Sequence, residues 1–386
     1  MASGTCFVTF SCFLSVLFCH LVGFCANAHP SPVTAPSAYC AFNSHPNVSD
    51  LVGTTYLDHV HSVKLPSSGR VYRYAYYAPS PQANRPTILF LHGFPSSSFD
   101  WRRQFTYFAL KGYGVLAPDL LGYGGTDKPS DPAAYAMKSM AADVVDLLDC
   151  ISGAGKAVIV AHDLIVLVNM DSGSVLQSRV WTYYPTRFEK YVFLDIGYFA
   201  PGLFLGEAGV IANKDTLGYQ IFFNEDRSGS VLDQHQDSIW SLLYTSNVPK
   251  YWPKYLSPPG AVEAFLNRNG RVPTGSFVSI QDELVHNRIF AVTNGGYNPS
   301  LNWYRSMYRN VNLADENTIP KSAANITKPV LLVTAANDTV GTPAAAEAQT
   351  RPYAPDLNEH QVDSGHFVML ERADEVNKAM SDFFEK

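Results

Sequence analysis

Charged side chains are absent from the first 28 residues, Met1 to Ala28. Across all 386 residues charge stays sparse, with 28 Lys and Arg against 34 Asp and Glu. The formal net charge of -6 leaves no basic surface for a phosphate backbone, so no nucleic-acid partner is expected. Beyond Phe24 no run is apolar enough to span a bilayer. There is no internal repeat and no low-complexity segment, which argues against solenoids and propellers. Cysteine is scarce as well. Of six, Cys6, Cys12, Cys19 and Cys25 fall in the uncharged start, which leaves Cys40 and Cys150.

That start carries the apolar run Phe7 to Phe24 and ends Ala26-Asn27-Ala28, a small-residue cleavage pattern. Residues 1–28 therefore read as a secretory signal peptide, with an uncleaved membrane anchor as the alternative, and secretion is the expected localisation. In an oxidising compartment Cys40 and Cys150 either pair or stand as two free thiols. Asn47-Val-Ser49 and Asn325-Ile-Thr327 are glycosylation sequons, usable where exposed. Asn337-Asp-Thr339 is a third, but it overlaps a candidate acid and is expected to lie inside the site.

Aromatic residues are plentiful, with 22 Tyr and 23 Phe, enough for a large core or an apolar pocket. Short apolar runs follow one another along the chain: Val71–Tyr77, Thr87–Leu91, Gly114–Pro118, Lys156–His162, Tyr191–Asp195, Val330–Ala335 and Glu359–Asp363. Each predicts a strand. Helical spacing marks Ser139–Ile151, Val175–Trp181 and Glu371–Phe384. Alternating strands and helices predict an α/β protein, a mostly parallel sheet with helices on both faces. Between about residues 201 and 322 the pattern changes to apolar helical segments rich in aromatics, Pro and Gly. The expected division is a core over 29–200, a helical cap over 201–322, and the rest of the core over 323–386.

In an open parallel sheet, ligands sit at the carboxyl ends of the strands. The polar residues there are His92, Asp119, Asp163 or Asp171, Asp195, Asp338 and His366. Taken singly, Asp338 in Ala-Ala-Asn-Asp is a turn aspartate and His366 a loop histidine. Taken in chain order they are an acidic nucleophile, an acid and a histidine, each just past a strand. That is the order used by the hydrolase elbow fold.

On His92-Gly-Phe-Pro95, Asp119-Leu-Leu-Gly-Tyr-Gly124, Ala161-His-Asp163, Leu301-Asn-Trp-Tyr-Arg305 and Gly365-His366, the chain resembles the α/β-hydrolases of the epoxide hydrolase type. The resemblance runs from about Leu51 to Lys386. It implies a two-step reaction on an apolar epoxide and water, without metal or organic cofactor. An aspartate opens the epoxide to an alkyl-enzyme ester, and a His–Asp pair then activates water against that ester. It further implies His366 as base, Asp338 as its orienting acid, and Tyr219 and Tyr304 as donors to the epoxide oxygen. His92, Phe94 and Trp303 are implied around the substrate, with the Phe94 N–H in the oxyanion hole. Haloalkane or haloacid dehalogenation is the alternative chemistry, disfavoured because no Trp stands beside the nucleophile.

The chain departs from the family at the elbow itself. Leu164 to Asp171 interrupts a string that otherwise reads Ala-His-Asp-Ser-Gly-Ser. Two registers follow. Asp163 continues the strand, and Asp171 precedes the helix. The strand favours Asp163 as nucleophile, with Asp171 as the alternative. Removal of the interruption restores an unbroken motif, which points to a splicing or gene-prediction error and to a shorter, more active product. A catalytically impaired hydrolase-fold protein is the corresponding rival for the chain as it stands.

Overall fold

The computed structural model describes Met1 and residues 40–43, 45–80, 83–153, 155, 157–163, 172–202 and 206–386. The expected leader beyond Met1, the interruption Leu164 to Asp171 and with it the alternative nucleophile Asp171 lie outside the described residues.

Among the described residues nine strands form one sheet. They are β1 (Ala41–Asn43), β2 (Val60–Lys64), β3 (Val71–Tyr77), β4 (Thr87–Leu91), β5 (Gly114–Pro118), β6 (Ala157–His162), β7 (Tyr191–Leu194), β8 (Val330–Ala335) and β9 (Leu357–Val362). In space the order is β1-β2-β3-β5-β4-β6-β7-β8-β9. The first three strands are antiparallel, and β3 meets β5 antiparallel. From β5 to β9 every pairing is parallel.

The parallel strands β4 to β8 are buried along their whole length, as their unbroken apolar runs require. The sequence pattern did not mark β1 and β2. β1 is three exposed residues, and β2 buries only part of His-Ser-Val-Lys after Val60, so neither carries a continuous apolar signal. The helix expected from Glu371 to Phe384 is two helices, Val368–Glu371 and Ala373–Phe384, broken at Arg372.

Helices Met137–Ser152 and Ser172–Tyr183 pack against each other, and Ala373–Phe384 packs on β8 and β9. Cys40 and Cys150 form a disulfide that ties the residue before β1 to the end of the first of these helices, across a separation of 110 residues. Closing a loop of that size restrains the unfolded chain by about 4–5 kcal/mol on the chain-entropy account.

Between β7 and β8 the described residues form helices, from Gly206–Ala212 to Leu313–Glu316, with an isolated bridge at Thr245 and Thr274. Their last turn is held to the sheet layer by a buried ion pair. Arg179 Nη2 donates to Glu316 Oε2 at 2.9 Å and Arg179 Nη1 to the Phe199 carbonyl at 2.6 Å. Inside the helical layer, Arg305 donates to Asn302 Oδ1, to the Glu225 carbonyl and to Ser228 Oγ. Through those bonds the helix carrying Tyr304 is fixed against the segment that follows Tyr219–Asn224.

Candidate active site

β6 delivers Asp163 to the carboxyl edge of the sheet in a left-handed backbone conformation, φ 72°. An aspartate there costs on the order of 1 kcal/mol and persists only where its surroundings fix it. Two glycines make room. A Cβ on Gly93 would fall 2.1 Å from Asp163 Oδ2, and one on Gly173 would fall 2.3 Å from the His162 carbonyl. The helix that begins at Ser172 is therefore drawn hard against the strand end. Ser174 N–H donates to the Asp163 carbonyl at 3.1 Å, so the chain on the two sides of the interruption meets.

The Asp163 carboxylate is bound on one oxygen and faced on the other. Phe94 N–H donates to Oδ2 at 2.9 Å, from a turn whose Phe94–Pro95 bond is cis. Oδ1 lies 2.8 Å from His366 Nε2, at ion-pair distance without the alignment of a hydrogen bond. Leu164, whose N–H is the one expected just after the nucleophile, lies outside the described residues.

His366 follows β9 on a loop held from below. Glu371 accepts from Gly365 N–H at 2.8 Å and from Phe367 N–H at 3.2 Å. His366 Nδ1 meets Asp338 Oδ2 at 2.7 Å, while Asp338 Oδ1 accepts from the Val340 and Gly341 N–H groups, both at 2.6 Å. Burial works against charge on Asp338, yet the imidazole and the two N–H groups hold its pKa below the ordinary carboxylate value. Burial likewise disfavours imidazolium, but the carboxylates of Asp163 and Asp195 outweigh it and raise His366 well above the ordinary histidine value. The geometry is that of an imidazolium between carboxylates. His162, just before Asp163, is neutral: burial and the neighbouring His366 push it down to about 4, and its Nε2 hydrogen bonds to the His366 carbonyl at 2.8 Å.

Above these groups lies a small apolar cavity lined by Phe94, Tyr219, Phe223, Leu243, Trp252, Leu256, Tyr304, His366 and Phe367. Tyr219 and Tyr304 come from two different helices of the β7–β8 layer, and their rings meet edge to face at 6.1 Å. Both are buried, with Phe223 packed against each. The structure thus brings Phe94, Tyr219, Tyr304 and His366 to one cavity and sets Asp163 and Asp338 against the two ring nitrogens of His366.

His92 and Trp303 stand apart from it. Neither lines the cavity. Nδ1–H of His92 donates to the Gly93 carbonyl and Nε2 accepts from Leu120 N–H at 3.0 Å, with burial pushing the ring down to about 4. This neutral ring is a strut between two strand-end loops. Trp303 donates from Nε1 to the Leu121 carbonyl at 2.7 Å and packs on Tyr123 and Tyr135, behind the wall that carries Tyr304. Asp119 is consumed by the buried Arg73, which also pairs with Asp50. Asn337, expected inside the site, is exposed and donates to Asp363 Oδ1, because the turn sends consecutive side chains to opposite sides and only Asp338 points inward.

One residue at this point was not assigned a role from sequence. Asp195, just past β7, is fully buried, and its Oδ2 lies 2.8 Å from His366 Nδ1. The signal was its place at a strand end; the convergence needs the fold. Among the described residues, His162, Asp195 and His366 are also the one grouping close enough to share a cation. Both ring nitrogens of His366 already face carboxylates, so the donor set fits an acid–base device better than a metal site.

A family profile described as alpha/beta hydrolase fold matches residues 86–164, ending one residue past Asp163. The chain is similar to bifunctional epoxide hydrolase 2 of Sus scrofa, 26% identical over 313 residues, covering 78% of this chain and 51% of that protein. It thus spans about half the length of that relative. It is also similar to epoxide hydrolase A of Mycobacterium tuberculosis, 28% identical over 320 residues, 77% of this chain and 90% of the other. Among solved structures, epoxide hydrolase A from Mycobacterium thermoresistibile matches with a TM-score of 0.67 at 26% identity, over 84% of this chain and 97% of that one.

Proposed function

We propose that this chain, an α/β-hydrolase of the epoxide hydrolase type, opens an apolar epoxide to a vicinal diol through an ester on Asp163. One observation carries the reading. A single buried carboxylate is held by the Phe94 N–H and faced by a His366–Asp338 pair at 2.8 and 2.7 Å, under a wall of aromatic side chains that includes two tyrosines.

In the first step an Asp163 oxygen attacks a ring carbon. The ring C–O bond breaks and its electron pair goes to oxygen, which takes a proton from Tyr219 or Tyr304; the imidazolium of His366 supplies the replacement proton. Ester formation removes the Asp163 charge, which was helping to hold a proton on His366. The imidazole is thereby left neutral when a base is needed. Water then attacks the ester carbonyl and gives one proton to His366 Nε2. The tetrahedral oxyanion is held by Phe94 N–H. The second water proton leaves with the alcohol oxygen, which frees the diol and restores the carboxylate. Asp338 keeps the Nδ1–H tautomer and stabilises the imidazolium throughout. The helical layer between β7 and β8 serves as the lid that excludes bulk water and brings the phenols.

Dehalogenation wants donors for a departing halide. The Trp252 indole N–H, beside the cavity, is spent on the Leu242 carbonyl, and that of Trp303 on Leu121. The secretory route is part of the same proposal. A Cys40–Cys150 disulfide suits an oxidising compartment, and Asn47 and Asn325 are both exposed for glycosylation.

The test is incubation of the purified chain with a small aryl epoxide, followed by product analysis and intact-protein mass. Diol, with a transient adduct of one epoxide mass on the peptide bearing Asp163, is expected. Absence of both diol and adduct overturns the proposal and leaves the impaired-hydrolase reading in its place.

A further inference from the structure

Two carboxylates, not one, converge on the outer nitrogen of His366. Asp338 Oδ2 lies 2.7 Å from Nδ1 and Asp195 Oδ2 lies 2.8 Å from it. They arrive from adjacent strands, β8 and β7, and both are buried. Nδ1 carries a single proton. The aligned hydrogen bond goes to Asp338, whose other oxygen is fixed by two backbone N–H groups. Asp195 has neither of its oxygens in an aligned hydrogen bond.

The backbone around Asp195 is arranged for this approach. Asp195 has φ 71°, the same left-handed conformation as Asp163 at the end of the neighbouring strand. A non-glycine residue held there is an outlier that its surroundings must enforce. Gly341 lies between the two acids: a Cβ on it would fall 2.9 Å from Asp195 Oδ2 and 3.3 Å from Asp338 Cγ. On the other side, a Cβ on Gly197 would fall 2.1 Å from Thr350 Oγ1, which seats the turn after Asp195 against the helix Pro343–Thr350.

We propose that Asp195 is a reserve acid for His366, a positioning residue that takes over the Nδ1 proton contact when Asp338 cannot supply it. Burial, and next the negative charge of Asp338, push Asp195 well above the ordinary carboxylate range. Remove the Asp338 charge and the second of those causes disappears. Burial still opposes its charge, but the His366 ring 2.8 Å away favours the Asp195 anion, which is placed to accept from the same nitrogen. During ester hydrolysis water still gives its proton to Nε2, and the positive ring is balanced by Asp195 in place of Asp338.

The chemical consequence rests on the epoxide reading above; the contact itself does not, and the first measurement is independent of turnover. In the intact chain with Asp338→Ala, a far-downfield proton resonance assigned to His366 Nδ1–H persists, because a carboxylate still accepts from it. Addition of Asp195→Asn to that variant removes it. Loss of the resonance in Asp338→Ala alone, in a protein that keeps the wild-type fold by circular dichroism, overturns the proposal. The second measurement uses the aryl epoxide and intact mass. Asp338→Ala slows ester breakdown yet completes it, whereas the double variant accumulates ester at a rate of breakdown lower by about 100-fold or more. Equal breakdown in the single and double variants also overturns the proposal. If wild type forms no ester, the epoxide reading fails and the resonance still decides the role of Asp195.

Discussion

The two halves of the proposed site, the base pair Asp338–His366 and the nucleophile Asp163, are built in different ways. The base half, Asp338 and His366, is held by bonds local to its own loops: Val340 and Gly341 N–H on the acid, and Glu371 beneath the histidine. The nucleophile half is held across the chain. Asp163 takes its donor from Phe94, 69 positions away, and its carbonyl meets Ser174 beyond the interruption. Local bonds survive a change in their surroundings better than contacts that need two distant segments in register. Any loss of order in this protein should therefore fall first on the nucleophile.

The largest expected effect tests whether Asp163 is the nucleophile at all. Asp163→Asn removes the attacking oxygen while the Phe94 contact can persist. Diol formation should fall by about 10³-fold or more, since loss of a covalent nucleophile leaves only binding and polarisation. Asp171→Asn should change it little. If instead Asp171→Asn abolishes adduct formation and Asp163→Asn does not, the register is the other one and the contrast between the halves must be redrawn.

Much of the fold is legible in the sequence. The buried strands β4 to β8 announce themselves as continuous apolar runs, because both faces of a parallel sheet are covered. Strand-end positions then gave Asp163, Asp338 and His366 in their order. The fold also set limits on that reading. β1 and β2 carry no continuous apolar run to read. Asn337 and Asp338 are adjacent in sequence yet face solvent and site respectively. His92 and Trp303 belong to recognisable motifs, but their ring nitrogens serve backbone carbonyls and an amide behind the cavity. Asp195 looked like one strand-end acid among several. Its approach to His366 depends on a φ of 71° and on a glycine at 341, a relation between two strands that no local pattern encodes.

The next effect in size bears on the interruption directly. Deletion of Leu164 to Asp171 joins Asp163 to Ser172 by a peptide bond, where the described structure joins the two sides by the Ser174–Asp163 hydrogen bond. Catalytic groups misplaced by about 1 Å lose on the order of 10²-fold in rate. Turnover of the shortened chain should exceed that of the full chain by about that factor, measured as kcat on one aryl epoxide. Equal kcat values would mean that the hydrogen bond alone orders the elbow, and the two halves would then be equally firm.

The smallest effect is a titration, and it asks whether the halves are coupled. His366 is held well above the ordinary histidine value although burial opposes it, with Asp163 the first of the charges responsible. An anion beside an imidazole favours the protonated ring; take the anion away and the ring gives up its proton at lower pH. Asp163→Asn is a neutral mimic of the ester, so the His366 titration followed by NMR should move down in that variant. The same sign governs the reaction. Ester breakdown needs the neutral ring, so its rate should rise with pH through the His366 pKa of the ester form, and that pKa should lie below the one seen in the resting chain. A resting His366 that titrates identically in wild type and Asp163→Asn would mean that its proton is held by Asp338 and Asp195 alone. The base half would then be autonomous in charge as well as in structure, and ester formation would no longer be what switches the base on.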